Sequence, residues 1–274
     1  MARPKRQGWT KRKFTPGDMH PVPAGWRVGP PDYVGIGLGS AGTTWWHRLL
    51  LEHPGIVPNR LAAKELQYFY HFGYQGPGER DLETYRCAFA APEHCVCGEW
   101  SPGYLHYPFA INYLKQAAPD TRILIMLRNP IDRFFSVLNR TCTRRVKALG
   151  LEGEAAYLFK TYSLFPAAIS NCLCADAIER LFGEFERSNI LVLQYERCKR
   201  SPEEEIARTY RFLQVDPGYR PKSISQVINP TRHLFRPLTA GERGRLACYY
   251  SEDVRRLARM LPEVDVSLWP DFQA

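Results

Sequence analysis

Three short stretches carry residue types suited to gripping an anion and moving a proton. The first is the glycine-rich run Gly37-Leu-Gly-Ser-Ala-Gly-Thr-Thr44. Backbone N–H groups of Ala41, Gly42, Thr43 and Thr44 fall at a predicted helix N-terminus, where unpaired donors and the positive end of the dipole attract a phosphate. The two threonine hydroxyls add donors. The second is Arg128-Asn-Pro-Ile-Asp-Arg-Phe-Phe-Ser136. Asn129 suits an N-cap and Pro130 the first helical position, which leaves Arg128 at a strand's carboxyl end and puts Arg133 and Ser136 on one helix face. A phosphate fits between Arg128 and Ser136. The third is Lys64-Glu65, just ahead of an aromatic run, with Glu99 as a second candidate carboxylate. In isolation Lys64 and Glu65 read more readily as a solvated surface pair.

The glycine turn alone admits more than one chemistry. Gly37, Gly39 and Gly42 match the dinucleotide pattern G-x-G-x-x-G, but no convincing acidic residue ends the following strand. A nucleotide triphosphatase loop needs a lysine before its Ser or Thr, whereas Gly42 runs directly into Thr43. Such an enzyme also wants an aspartate near a strand end to serve Mg²⁺, and the strand before Arg128 ends in a cation. That substitution argues for direct anion binding with no metal.

These stretches need a scaffold, and the surrounding pattern supplies one. Tyr33–Gly37, Arg122–Leu127 and Ile190–Glu196 read as buried strands, the last two as apolar runs typical of a central parallel sheet. Val96–Pro102 reads as a strand emptying into a loop, where ligands collect in an open α/β sheet. Helices are predicted from Thr43 to a stop at His53-Pro54-Gly55, over Asp81–Phe89, Pro108–Ala118, Ser201–Leu213 and Ala240–Leu261. Trp45, Trp46, Leu49 and Leu50 form the apolar face of the first. From Val137 to Phe182 the chain reads as helical with interruptions.

The 274 residues suffice for one α/β domain, assigned to 32–274, preceded by a basic, proline-rich tail over 1–31. The formal net charge of +9 suits an anionic ligand, nucleic acid or an anionic membrane surface alike. Arg3, Lys5, Arg6, Lys11, Arg12 and Lys13 supply much of the excess. We read them as a solvated tail and expect no nucleic-acid partner. No apolar run is long enough to span a bilayer and the start lacks the apolar core of a secretory signal, so a soluble cytoplasmic protein is expected. The pairs Cys95/Cys97 and Cys172/Cys174 are C-x-C, not the C-x-x-C of structural zinc, and the eight cysteines read as reduced thiols.

Taken together, GSAGTTWW, KELQYF, GEWSP, LRNPIDRFFS and LVLQYE occur in an order that resembles sulfotransferases of the heparan-sulfate and bacterial type. The resemblance spans Tyr33 to the final helix. It implies a P-loop-like three-layer α/β fold, with a central, mainly parallel sheet flanked by helices, and 3′-phosphoadenosine 5′-phosphosulfate (PAPS) as sulfuryl donor. On that basis Ser40, Ala41, Gly42, Thr43, Thr44 and Trp45 surround the 5′-phosphosulfate, and Arg128 with Ser136 holds the 3′-phosphate. In relatives with a K-E-x-x-F-F segment the glutamate is the general base, which maps onto Glu65. The acceptor is then a hydroxyl or amine of a small molecule, a sugar or a lipid, with oligomeric state open.

Two departures stand out. The cation such loops carry is Ser40 here, and the lysine of the related E-K-T-P motif is Trp100. His47, four residues after Thr43 and leaning toward the helix N-terminus, is a candidate replacement. Lys64 and Arg232 are others. The alternative is a catalytically impaired member that binds nucleotide or a partner without turnover.

Overall fold

In the computed structural model the described residues are 13–148, 150, 165–226 and 237–273, with the side chains of 141–148 and 165–167 set aside. The frame is a five-stranded sheet in the order β3-β5-β2-β6-β7, formed by β2 (Tyr33–Gly37), β3 (Ile56–Pro58), β5 (Val96–Trp100), β6 (Arg122–Leu127) and β7 (Ile190–Gln194). Every neighbouring pair is parallel. Their carboxyl ends therefore gather along one edge, the edge at which open α/β sheets bind ligands. β2 and β7 are buried along their whole length, as continuous apolar runs in a parallel sheet should be.

Helices cover the sheet: α1 (Thr43–Leu50), α2 (Glu79–Arg86), α3 (Pro108–Ala117), α4 (Pro130–Ala148), α5 (Phe165–Ser170), α6 (Ala175–Glu184), α7 (Tyr195–Arg200), α8 (Pro202–Leu213) and α9 (Ala240–Met260). α1 buries Trp46, Leu49 and Leu50 and is tied to α8, where Trp46 Nε1 donates to Thr209 Oγ1 (3.1 Å) and the Tyr210 hydroxyl donates to Leu49 O (3.1 Å). The bonds satisfy polar atoms that the apolar contact would otherwise strand.

A smaller antiparallel pair joins β1 (Arg27–Gly29) to β4 (Phe89–Ala91). Together with the Lys13–Asp81 ion pair (2.5 Å) and the Phe14 ring on Tyr68 (4.4 Å), it fastens residues 13–31 to the domain. The seven free cysteines among the described side chains include five that are buried, Cys95, Cys97, Cys172, Cys174 and Cys198.

Candidate active site

The first turn leaves β2 through Leu38, whose N–H donates to Met126 O on the neighbouring strand (3.0 Å). Ser40 (φ 66°) and Gly42 (φ 91°) both adopt the left-handed region, the first as a non-glycine residue that bears the strain. A Cβ at Gly42 would lie 2.6 Å from the Tyr195 ring, so glycine is required there twice over. The Ala41 N–H bonds Leu38 O within the turn (3.2 Å), which leaves the donors of Thr43 and its successors at the start of α1 to face outward. Thr43 is buried, Thr44 exposed, and Trp45 half-buried with Nε1 donating to Ile224 O (3.3 Å).

The second turn lies against the first because β2 and β6 are neighbours. Arg128 Nη1 donates to Ser40 O (2.8 Å) and Arg133 Nε to Gly39 O (2.9 Å). A Cβ on Gly39 would sit 3.4 Å from Arg140 Nη2. Residues 133, 136 and 140 recur at helical spacing, so the face of α4 that carries half-buried Ser136 is turned to the glycine turn. Asn129 caps α4 through Oδ1, which accepts from Ile131 N (2.9 Å), as its residue type suggests.

Two atoms here are buried without a protein partner, Ser40 Oγ and Arg128 Nε. Buried polar atoms are nearly always paired. Both can donate to a phosphorylated ligand, and to that extent the residues present fit the expected nucleotide. Arg128 also stacks on Tyr195, 4.8 Å from the ring centroid. Tyr195, at the carboxyl end of β7, thus contacts both turns, a role its place in LVLQYE did not reveal.

The segment carrying Lys64 and Glu65 has no regular secondary structure, so its backbone groups need partners elsewhere. The end of β5 provides them. Trp100 N donates to Lys64 O (2.8 Å), Leu66 N to Glu99 Oε2 (3.0 Å) and Gln67 N to Ser101 Oγ (2.9 Å). Asn59 adds Nδ2 to Ala63 O (2.7 Å). So clamped, Lys64 Nζ reaches Thr43 Oγ1 (3.2 Å) and Glu65 Oε1 (2.8 Å), while Gln67 Nε2 donates to Glu65 Oε2 (3.0 Å). Burial pushes the Lys64 ammonium below the usual lysine range, opposed by Glu65. Glu65 keeps 35% of its side chain exposed.

Other candidates fall in different surroundings. Glu99 is wholly buried, its oxygens accepting from Leu66 N, Ser101 Oγ (2.5 Å) and the Tyr85 hydroxyl (2.9 Å), and burial lifts its carboxyl to about 7. Trp100 lies in the core, where a Cβ at Gly35 would overlap its indole at 2.2 Å and its Nε1 donates to Gly37 O (3.0 Å). His47 is buried with Nδ1 unpartnered; burial, then the charge of Lys64, lowers its pKa to about 3. Arg232 lies outside the described residues.

Sequence reasoning also missed the C-terminal buttress of the second turn. Asp271 accepts from Asn129 Nδ2 (2.9 Å) and Arg243 Nη2 (2.6 Å), and Arg243 bonds Asp132 (2.9 Å). Glu196 accepts from Asn129 N (3.0 Å) and Trp269 Nε1 (2.9 Å).

Residues 103–232 match the family described as the sulfotransferase domain. The chain is 26% identical to mouse (Mus musculus) bifunctional heparan sulfate N-deacetylase/N-sulfotransferase 4 over 209 residues, 69% of this chain and 23% of that protein. It is 26% identical to human (Homo sapiens) heparan sulfate glucosamine 3-O-sulfotransferase 6 over 189 residues, 67% of this chain and 52% of that one. It thus spans about half, or less, of the curated relatives it matches. In fold it is similar to a sulfotransferase from Alicyclobacillus acidocaldarius, with a TM-score of 0.66 and 24% identity, covering 89% of this chain and 100% of that structure. Residues 103–232 thus match a sulfotransferase domain, and the chain as a whole is similar to sulfotransferases in sequence and in fold.

Proposed function

We propose that this protein transfers a sulfuryl group from PAPS to a hydroxyl or amine of a small-molecule, sugar or lipid acceptor, with Glu65 as general base. One observation carries the reading: Arg128 and Arg133 bond the carbonyls of Ser40 and Gly39, so the two anion-seeking turns form one basin, and Lys64 joins that basin to Glu65. A single ligand with phosphates at both ends matches such a basin better than two separate anions. The donor supplies an activated sulfuryl group on a phosphate leaving group.

The chain's own residues divide the remaining work. Thr43, Thr44 and the α1 amides bind the 5′ end, with Ser40 and Trp45 at its border, and Arg128 with Ser136 binds the 3′-phosphate. Glu65, bonded from one side by Lys64 and the other by Gln67, still offers lone pairs to an acceptor proton. His47 contributes a neutral imidazole, able to give one N–H bond to the leaving group, and His47→Ala with unchanged turnover would remove it from the mechanism. Glu99 acts through the backbone it holds. The acceptor would approach past the Tyr70 and Tyr107 rings, whose centroids lie 5.1 Å apart. Chemistry of this kind needs no metal. The described residues include no helix long and apolar enough to cross a membrane, and buried free thiols suit a reducing, cytoplasmic setting.

A second reading has its own observation: the first turn carries Ser40 and no basic side chain, which favours a nucleotide binder with little turnover. Calorimetry with adenosine 3′,5′-bisphosphate should show binding under either reading. Transfer of labelled sulfate from PAPS to members of an acceptor panel is expected only for an active enzyme, and its absence across the panel with binding intact would favour the second.

A further inference from the structure

We propose that Lys64 is the cation of the leaving-group end of the site, one ammonium shared between the loop that holds the 5′-phosphate and the carboxylate that takes the proton. The inference rests on the reading that the chain binds the phosphosulfate nucleotide. Turn 38–44 brings no positive side chain to the place where charge develops. Arg128 and Arg133 touch the turn but are directed at the Ser40 and Gly39 carbonyls. Lys64 reaches Thr43 Oγ1, on the first residue of α1, with only 17% of its side chain exposed. Its backbone is held by the bond from Trp100, and its head group by Thr43 and Glu65.

The shared ammonium couples two halves of one event. During transfer a bond forms between the acceptor oxygen or nitrogen and sulfur, the bond between sulfur and the phosphate oxygen breaks, and its electron pair stays on that oxygen. The acceptor's proton passes to Glu65. Glu65 thereby loses the charge that holds Lys64, just as the phosphate oxygen at the other side of the ammonium gains one. Lys64 shifts from one anion to the next over the length of a hydrogen bond, in a site where partial burial weakens screening by water. A cation fixed in the loop would meet the phosphate only; Lys64 meets both partners, which explains why it stands beside the base.

The test uses the full chain with adenosine 3′,5′-bisphosphate as probe. Calorimetry on the unaltered protein comes first: absence of binding removes the nucleotide reading and this inference with it. Given binding, acylation of Lys64 by an N-hydroxysuccinimide acetate is followed by mass spectrometry. The bisphosphate is expected to protect Lys64 and adenosine 3′-monophosphate, which lacks the 5′ group, is not. Equal acylation with both overturns the role of Lys64 while the nucleotide reading stands. Release of labelled sulfate from PAPS to water supplies a rate without a known acceptor. Lys64→Met should slow it about 100 to 1,000-fold, as for loss of a preorganised donor at a developing charge. Lys64→Arg should keep most of the rate, and Ser40→Lys placed on Lys64→Met should recover part. Unchanged hydrolysis by Lys64→Met, or a comparable loss in Arg140→Met with Lys64→Met unaffected, would overturn the proposal.

Discussion

Glu65 and Glu99 lie on two segments clamped to each other, yet they live in opposite environments. Glu65 is one-third exposed and bonded by two side chains, Lys64 and Gln67. Glu99 is fully enclosed and accepts from a backbone N–H and two hydroxyls, none of them charged. A carboxylate with open lone pairs beside a cation can exchange a proton with a ligand. One that is walled in by its own donors can only hold structure. The difference teaches that the residue type opens the possibility of base chemistry, and the surroundings decide which of two candidates keeps it.

The contrast can be broken most sharply at Glu65. Glu65→Gln should lower sulfuryl transfer about 100 to 10,000-fold, the usual range for loss of a general base, while thermal or chemical unfolding stays within about 0.5 kcal/mol of the unaltered protein. A variant that transferred at full rate would end the assignment. Glu99→Ala should do the reverse. It strands Leu66 N, Ser101 Oγ and the Tyr85 hydroxyl in the core, and at about 1–3 kcal/mol for each unsatisfied group the loss of stability in urea should reach several kcal/mol. The folded fraction should still bind the nucleotide.

The same contrast has a pH signature. Burial raises the Glu99 carboxyl from 4.5 to about 7 in the folded protein. Between those values the native state holds a proton that the unfolded chain releases, so the contribution is full below 4.5 and is lost as pH rises through about 7. Unfolding followed across that window should show stability falling with pH, and Glu99→Gln should flatten the slope. The smallest effect is expected at His47, which is buried like Glu99 and neighbours Lys64 like Glu65. Because it is neutral throughout the working range and gives the leaving group one uncharged bond, His47→Ala should slow turnover by only about 3- to 10-fold, measured as labelled sulfate released, and an unchanged rate would remove it from the mechanism.

Much of the frame was legible in the residues. β2 and β6 start and stop where their apolar runs do, and Pro130, Pro202 and the Thr239 cap mark helix starts as their types suggest. What stayed hidden is held by tertiary contacts instead of local pattern. β1, β3 and β4 have three residues each, too few for a period, and exist because a neighbouring strand pairs with them. In the site, the pairing of Arg128 with Ser40 spans 88 residues and that of Asn129 with Asp271 spans 142, distances over which no spacing rule speaks. Lys64 and Thr43 could be named as candidates, but their meeting depends on the bonds from β5. The split between Glu65 and Glu99 was equally invisible, since it rests on Tyr85 arriving from α2.

The central claim is that two turns hold opposite ends of one doubly phosphorylated adenosine. It is tested most directly by titrating the protein calorimetrically with adenosine 3′,5′-bisphosphate and with the 3′- and 5′-monophosphates. The bisphosphate is expected to bind far more tightly than either, with Arg128→Met erasing the gain from the 3′-phosphate and leaving that from the 5′-phosphate. Equal affinity for all three nucleotides, or no binding of any, would contradict it.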